Sequence, residues 1–100
     1  MKIGICDDDL QIRTQLLILC KKLGYNDISQ FESGEKLLSS NIYLSLTLLF
    51  LDIEMKDMTG IEVKNILEKS SPFTLIIFIT SHNEQIKDAF GRNVIFYQSK

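Results

Sequence analysis

Residues 46–60 read LTLLFLDIEMKDMTG, and this stretch decides the architecture. Leu48, Leu49, Phe50 and Leu51 form an unbroken apolar run that stops at Asp52, and a charged segment holding Met55, Met58 and Gly60 follows. A short apolar run bounded by turn residues is the pattern of a strand buried on both faces, as in a parallel sheet. Asp52 then stands at the carboxyl end of such a strand. In open α/β sheets that edge is where the departing loops leave a crevice for ligands and chemistry. A carboxylate that ends an apolar strand there points to function rather than to packing.

Working outward, the flanking chain alternates strands and helices. Residues 3–6 predict a strand that stops at Asp7, Asp8 and Asp9, and Gly4 within it predicts close approach of a neighbouring backbone. In 10–23 the apolar residues Ile12, Leu16, Leu19, Cys20 and Leu23 recur at helical spacing, with Gln11, Arg13, Gln15, Lys21 and Lys22 between them. Asp9 supplies the N-cap, and Gly24 sits where a helix end takes a left-handed residue. Residues 28–31 form a second strand, Ser33 caps a short helix through Leu38, and 41–45 connect to the central strand at 46–51. A third helix runs over 60–69 until Ser70, Ser71 and Pro72 end it. Residues 74–79 form a fourth strand closing at Thr80 and Ser81. A short fourth helix, capped by Ser81 or Asn83, runs to Phe90 and stops at Gly91; 94–97 form a fifth strand. The alternation implies right-handed crossovers and a mostly parallel sheet with helices on both faces. Four helices leave one face half bare, so a further helix is expected after the fifth strand.

One hundred residues with 45% hydrophobic content make one domain. A net charge of -2 provides no basic field for a nucleic-acid backbone. The first ten residues turn acidic at Asp7 and lack the apolar core of a secretory signal, and no stretch is long enough to span a bilayer. Cys6 and Cys20 fit neither a CxxC motif nor a disulfide framework, which suits a reducing cytoplasm; both read as packing residues.

If the first and third strands are parallel neighbours, Asp7, Asp8 and Asp52 meet at one edge. Two like charges about 5 Å apart repel by roughly 3 kcal/mol at an effective dielectric of about 20. Three carboxylates gathered so closely require raised pKa values or a cation, and oxygen-only ligands suit Mg²⁺ or Mn²⁺. Such an ion keeps open positions that take phosphate oxygens, and a carboxylate beside it can attack phosphorus to form an acyl phosphate. Thr80 and Lys100, at the ends of the fourth and fifth strands, could offer a hydroxyl and an ammonium to the phosphoryl group.

Four stretches in the same order, IGICDDD, FLDIEMKDMTGIEV, IIFITS and FYQSK, together resemble the receiver domain of bacterial two-component response regulators. The resemblance spans the chain, and the separation of Asp8 and Asp52 matches as well. It implies a flavodoxin-like (CheY-like) three-layer α/β sandwich with a five-stranded parallel sheet in the order 2-1-3-4-5. It further implies a domain over 1–100 that lacks the family's final helix and any output domain. By the same resemblance Asp52 is the phosphate acceptor, Asp8 a direct metal ligand, Asp7 a ligand acting partly through water, and Glu54 a ligand through its backbone carbonyl. Thr80 and Lys100 take the phosphoryl-contacting places, and Tyr97 the aromatic position that switches with Thr80. The implied partner is a sensor histidine kinase, and DNA is reached only through an output domain. The wording DIEMKDMTGIEV and ITSH is similar to receivers joined to LytTR-type DNA-binding domains, which implies control of transcription. Lys56 departs from the family, which most often has proline there. An uncovered sheet face would favour homodimers or exchange of elements between chains.

Three rival readings share parts of this pattern. An aspartyl-nucleophile phosphohydrolase would place a second aspartate two residues after the acceptor, where this chain has Glu54. A flavodoxin-like cofactor carrier would cradle a phosphate in its first loop, which Asp7, Asp8 and Asp9 repel. A pseudo-receiver would dispense with phosphorylation, yet the acidic set and Lys100 are intact. His82, alone in a polar loop, is given no role.

Overall fold

The computed structural model describes residues 1–80 and 94–99. In chain order these form β1 (Ile3–Cys6), α1 (Leu10–Lys22), β2 (Ile28–Phe31), α2 (Gly34–Ser39), a 3₁₀ turn (Ile42–Ser45), β3 (Leu48–Leu51), α3 (Gly60–Ser70), β4 (Leu75–Thr80) and β5 (Val94–Ser99). The five strands make one parallel sheet in the order β2-β1-β3-β4-β5. The expected fourth helix and its stop at Gly91 lie outside the described residues.

Side-chain alternation divides the sheet into two unequal faces. On one, Cys6, Leu49, Leu51, Ile76 and Phe78 pack with Leu37 of α2 and Val63 and Leu67 of α3 into the main core. On the other, Ile3 and Ile5 are sealed. Their partners across the ladder are Leu48 and Phe50, which stay half-buried, and Leu75 beyond them is 39% exposed. Among the described residues this face is therefore less completely covered than the other.

Each helix start follows from its cap. The Gln11 N–H donates to Asp9 Oδ1 at 2.9 Å, and Lys36 N–H donates to Ser33 Oγ at 3.1 Å. Thr59 and Glu62 form a reciprocal capping box on α3. Gly24 follows α1 at φ 94, the left-handed turn anticipated there.

Three expectations change. Helix α1 buries Cys20, but Leu19 and Leu23, on the same predicted stripe, are 50% and 66% exposed. The helix is rotated so that only one flank of its apolar stripe meets the sheet. The central strand begins two residues later than predicted, because the 3₁₀ turn carries the chain to Leu46, which is buried by its side chain while its N–H closes that turn. Gly4 is needed for side chains rather than backbone: a Cβ there would stand 2.7 Å from Leu46 Cδ1 and 3.1 Å from Leu49 Cδ1.

Candidate phosphoryl and metal site

The site grows directly out of the β1–β3 ladder. Cys6 pairs with Leu51, and the Asp52 N–H continues the ladder by donating to the Cys6 carbonyl at 3.0 Å. The Asp7 N–H likewise donates to Phe31 O across β2 at 3.1 Å. Asp7 and Asp52 are thus the first residues beyond two adjacent parallel strands, and both are buried, at 2% and 3% exposure. Asp8, one residue further, is exposed.

One carboxylate oxygen from each of Asp7, Asp8 and Asp52 lies within 4.8 Å of the other two. Three hard anionic oxygens so placed, two of them buried, are the donor set that suits a small divalent cation with room for further oxygen ligands. Asp9 is drawn elsewhere, as a cap on α1, while its N–H donates to Asp7 Oδ1 at 2.9 Å. Arg13 reaches back from α1 so that its Nη1 donates to the Asp7 carbonyl at 2.7 Å.

The loop after Asp52 is held from below. Ile53 is fully buried and its carbonyl accepts the Gly60 N–H at 2.8 Å, which turns the chain from β3 into α3. Met55 is buried, and its sulfur stands 3.8 Å from Cys6 Sγ. Burial, with the negative charges of Asp7 and Asp52 beside it, pushes the Cys6 thiol up to about 12. Asp57 adopts φ 69, and the Met58 N–H closes a tight turn on Lys56 O at 2.8 Å. Lys56 itself is exposed, in the place where proline is the family's usual residue.

Of the other residues singled out from sequence, Glu54 has an exposed side chain and does not join the carboxylate cluster. Thr80 ends β4 at the same sheet edge, and its backbone pairs with Ser99. Tyr97 pairs with Phe78 in the β4–β5 ladder. Lys100 and His82 lie outside the described residues. The sequence pattern gave no sign of Arg13, which stands as one of the polar residues between the apolar positions of α1. Its six-residue offset from Asp7 matches no motif, and only the path of α1 past the strand end brings the two together.

A cavity of about 440 Å³ adjoins this edge, lined by Arg13, Gln30, Phe31, Glu32 and Lys36. Lys36 and Glu32 form an ion pair in its wall, which holds the Glu32 carboxyl below its usual range.

Residues 3–95 match the family model for the response regulator receiver domain. The chain is 30% identical over 98 residues to the transcriptional regulatory protein LytR of Staphylococcus aureus, covering 97% of this chain and 40% of that protein. It is 34% identical over 101 residues to the sensory transduction protein LytR of Staphylococcus epidermidis, covering 39% of it. The chain therefore spans about two fifths of the length of the curated relatives it matches. Among solved structures it resembles the response regulator TrrA of Thermotoga maritima in complex with Mg²⁺ and a beryllium fluoride, with TM-score 0.87 and 31% identity over 100% of this chain and 87% of that one. It also resembles a chain of the CheX–CheY complex with BeF₃ and Mg²⁺ from Borrelia burgdorferi, with TM-score 0.84, 26% identity and the same full coverage against 78%.

Proposed function

The chain belongs to the response regulator receiver domain family, and from that membership we propose that Asp52 is its phosphoacceptor and that Asp7, Asp8 and Asp52 hold Mg²⁺. The observation that carries this reading is the convergence of three carboxylate oxygens within 4.8 Å at the ends of β1 and β3. Mn²⁺ would satisfy the same oxygen donors, and the Glu54 carbonyl would complete the protein's ligands.

Bound there, the cation would neutralise charge on the transferred phosphoryl group. The protein's own contribution is positional. The β1–β3 ladder fixes the Asp52 carboxylate at the sheet edge, and burial of Ile53 and Met55 keeps its loop from drifting. An Asp52 oxygen attacks phosphorus to form a P–O bond. The P–N bond to a kinase phosphohistidine breaks, and its electron pair leaves with the imidazole. Thr80 and Lys100 would contact the new dianion, and Tyr97 would follow Thr80, so that the surface around β4 and β5 changes.

The partners that fit are a sensor histidine kinase as donor and an output domain outside this chain as reader, with control of transcription as the outcome. The domain acts on itself rather than on a separate substrate, in the cytoplasm. A phosphohydrolase would need Glu54 near the acceptor as a general acid, whereas its side chain is exposed and does not join the carboxylate cluster. The half-bare sheet face, with Leu75 and the exposed flank of α1, is a surface through which two copies could associate.

Intact mass after incubation with Mg²⁺ and acetyl phosphate tests the assignment. The chain should gain one phosphoryl group and Asp52→Asn should gain none; a gain that survives the substitution removes Asp52 from the role.

A further inference from the structure

We propose that Arg13 is a positioning residue for the cation site: by holding the Asp7 carbonyl it fixes the turn that presents Asp7 and Asp8 to the metal. This rests on the reading of that cluster as a divalent-cation site.

The turn from β1 into α1 must aim two consecutive carboxylates, one buried and one exposed, at a single point. Three hydrogen bonds hold Asp7 within it. The Asp7 N–H is tied to Phe31 O, the Asp9 N–H to Asp7 Oδ1, and the Asp7 carbonyl to Arg13 Nη1 at 2.7 Å. The first two belong to the strand and to the turn itself. The third comes from a half-buried side chain one helical turn into α1 and joins the helix to the strand end. A guanidinium suits this task, since its charge-assisted bond is short and its fork is rigid. Arg13 therefore lies where it can orient the ligands without being one, the place that outer partners of metal ligands occupy.

The test is calorimetric titration of the metal-free chain with MgCl₂, alongside thermal unfolding without divalent ions. Arg13→Met, which keeps the stem but loses donor and charge, should raise the Mg²⁺ Kd about tenfold. Arg13→Lys, which keeps a donating group and the charge but loses the planar fork, should recover part of that loss. If Arg13→Met does not fold, Arg13→Gln replaces it with the same expectation. A Kd within twofold of the parent, a tighter Kd, or a lysine variant no better than the methionine variant would overturn the proposal. Failure of the unsubstituted chain to bind Mg²⁺ would instead overturn the cation-site reading beneath it.

Discussion

The backbone of Gly60 runs against the carbonyl group of Asp52, so closely that a Cβ on Gly60 would lie 2.9 Å from the carbonyl carbon and nearer still to its oxygen. The same glycine donates its N–H to Ile53 O, so α3 starts where the loop after Asp52 folds back on itself. Gly60→Ala must push these two backbones apart. The expected cost is about 3 kcal/mol in urea unfolding, with Mg²⁺ affinity lowered as well because Asp52 moves.

Removing one charge from the acidic cluster should stabilise the metal-free protein. Asp8→Asn takes away the exposed member and relieves like-charge repulsion, worth about 1 kcal/mol after solvent screening. For a chain of this size that is a rise of roughly 4–8 °C in Tm. Chelation by EDTA should lower the Tm of the parent from its value in millimolar Mg²⁺ and leave Asp8→Asn nearly unmoved.

Both thiols should resist alkylation in the folded protein. Cys6 and Cys20 are buried, and burial raises both thiol pKa values, Cys6 to about 12. At alkaline pH the unfolded chain loses these protons first, from about the ordinary value of 9.0. Stability from the neutral buried thiols is thus complete below that pH and declines as pH rises toward the folded values. Iodoacetamide labelling followed by mass spectrometry, with and without denaturant, measures the protection. Cys20→Ala should flatten part of the alkaline decline in urea midpoint.

Two phenylalanines five residues apart should differ sharply. Phe78 is fully buried in the main core, whereas Phe73 is 91% exposed. Phe78→Ala should cost roughly 3–5 kcal/mol, and Phe73→Ala should stay within about 0.5 kcal/mol of the parent. Equal effects in urea unfolding would contradict this packing.

How much could be read beforehand depended on whether a residue's role was local. The strands Ile3–Cys6 and Ile28–Phe31 fall on the expected residues, because abrupt changes of polarity mark their ends. Asp9, Ser33 and Gly24 act as the caps and stop they resembled, since those roles need only neighbours in sequence. The meeting of Asp7, Asp8 and Asp52 was legible once strand order was assumed, as a parallel ladder leaves little freedom at its end. The facing of α1 was not legible. Periodicity identifies an apolar stripe, but the sheet chooses which flank it covers, and Leu19 and Leu23 fall outside that contact. The 3₁₀ turn at Ile42–Ser45 has no cap from the Asn41 side chain, and its start is held instead by Ser40 Oγ, which accepts the Ile42 N–H at 3.2 Å. Arg13 was hidden for the opposite reason: it looked ordinary, and only the fold gave its guanidinium a carbonyl to hold.

The ladder that pairs Cys6 with Leu51 also sets a parity for the whole acidic edge. Adding or deleting a single residue within Ile3–Cys6 would leave every aspartate in the chain, yet would either turn Ile3 and Ile5 toward the opposite side of the sheet or carry the amino-terminal acids out of step with Asp52. Among related chains, insertions and deletions should therefore gather in the connections at the far end of the sheet and be missing from β1 and β3. Length, in these two strands, is as much a part of the acidic edge as the carboxylates themselves.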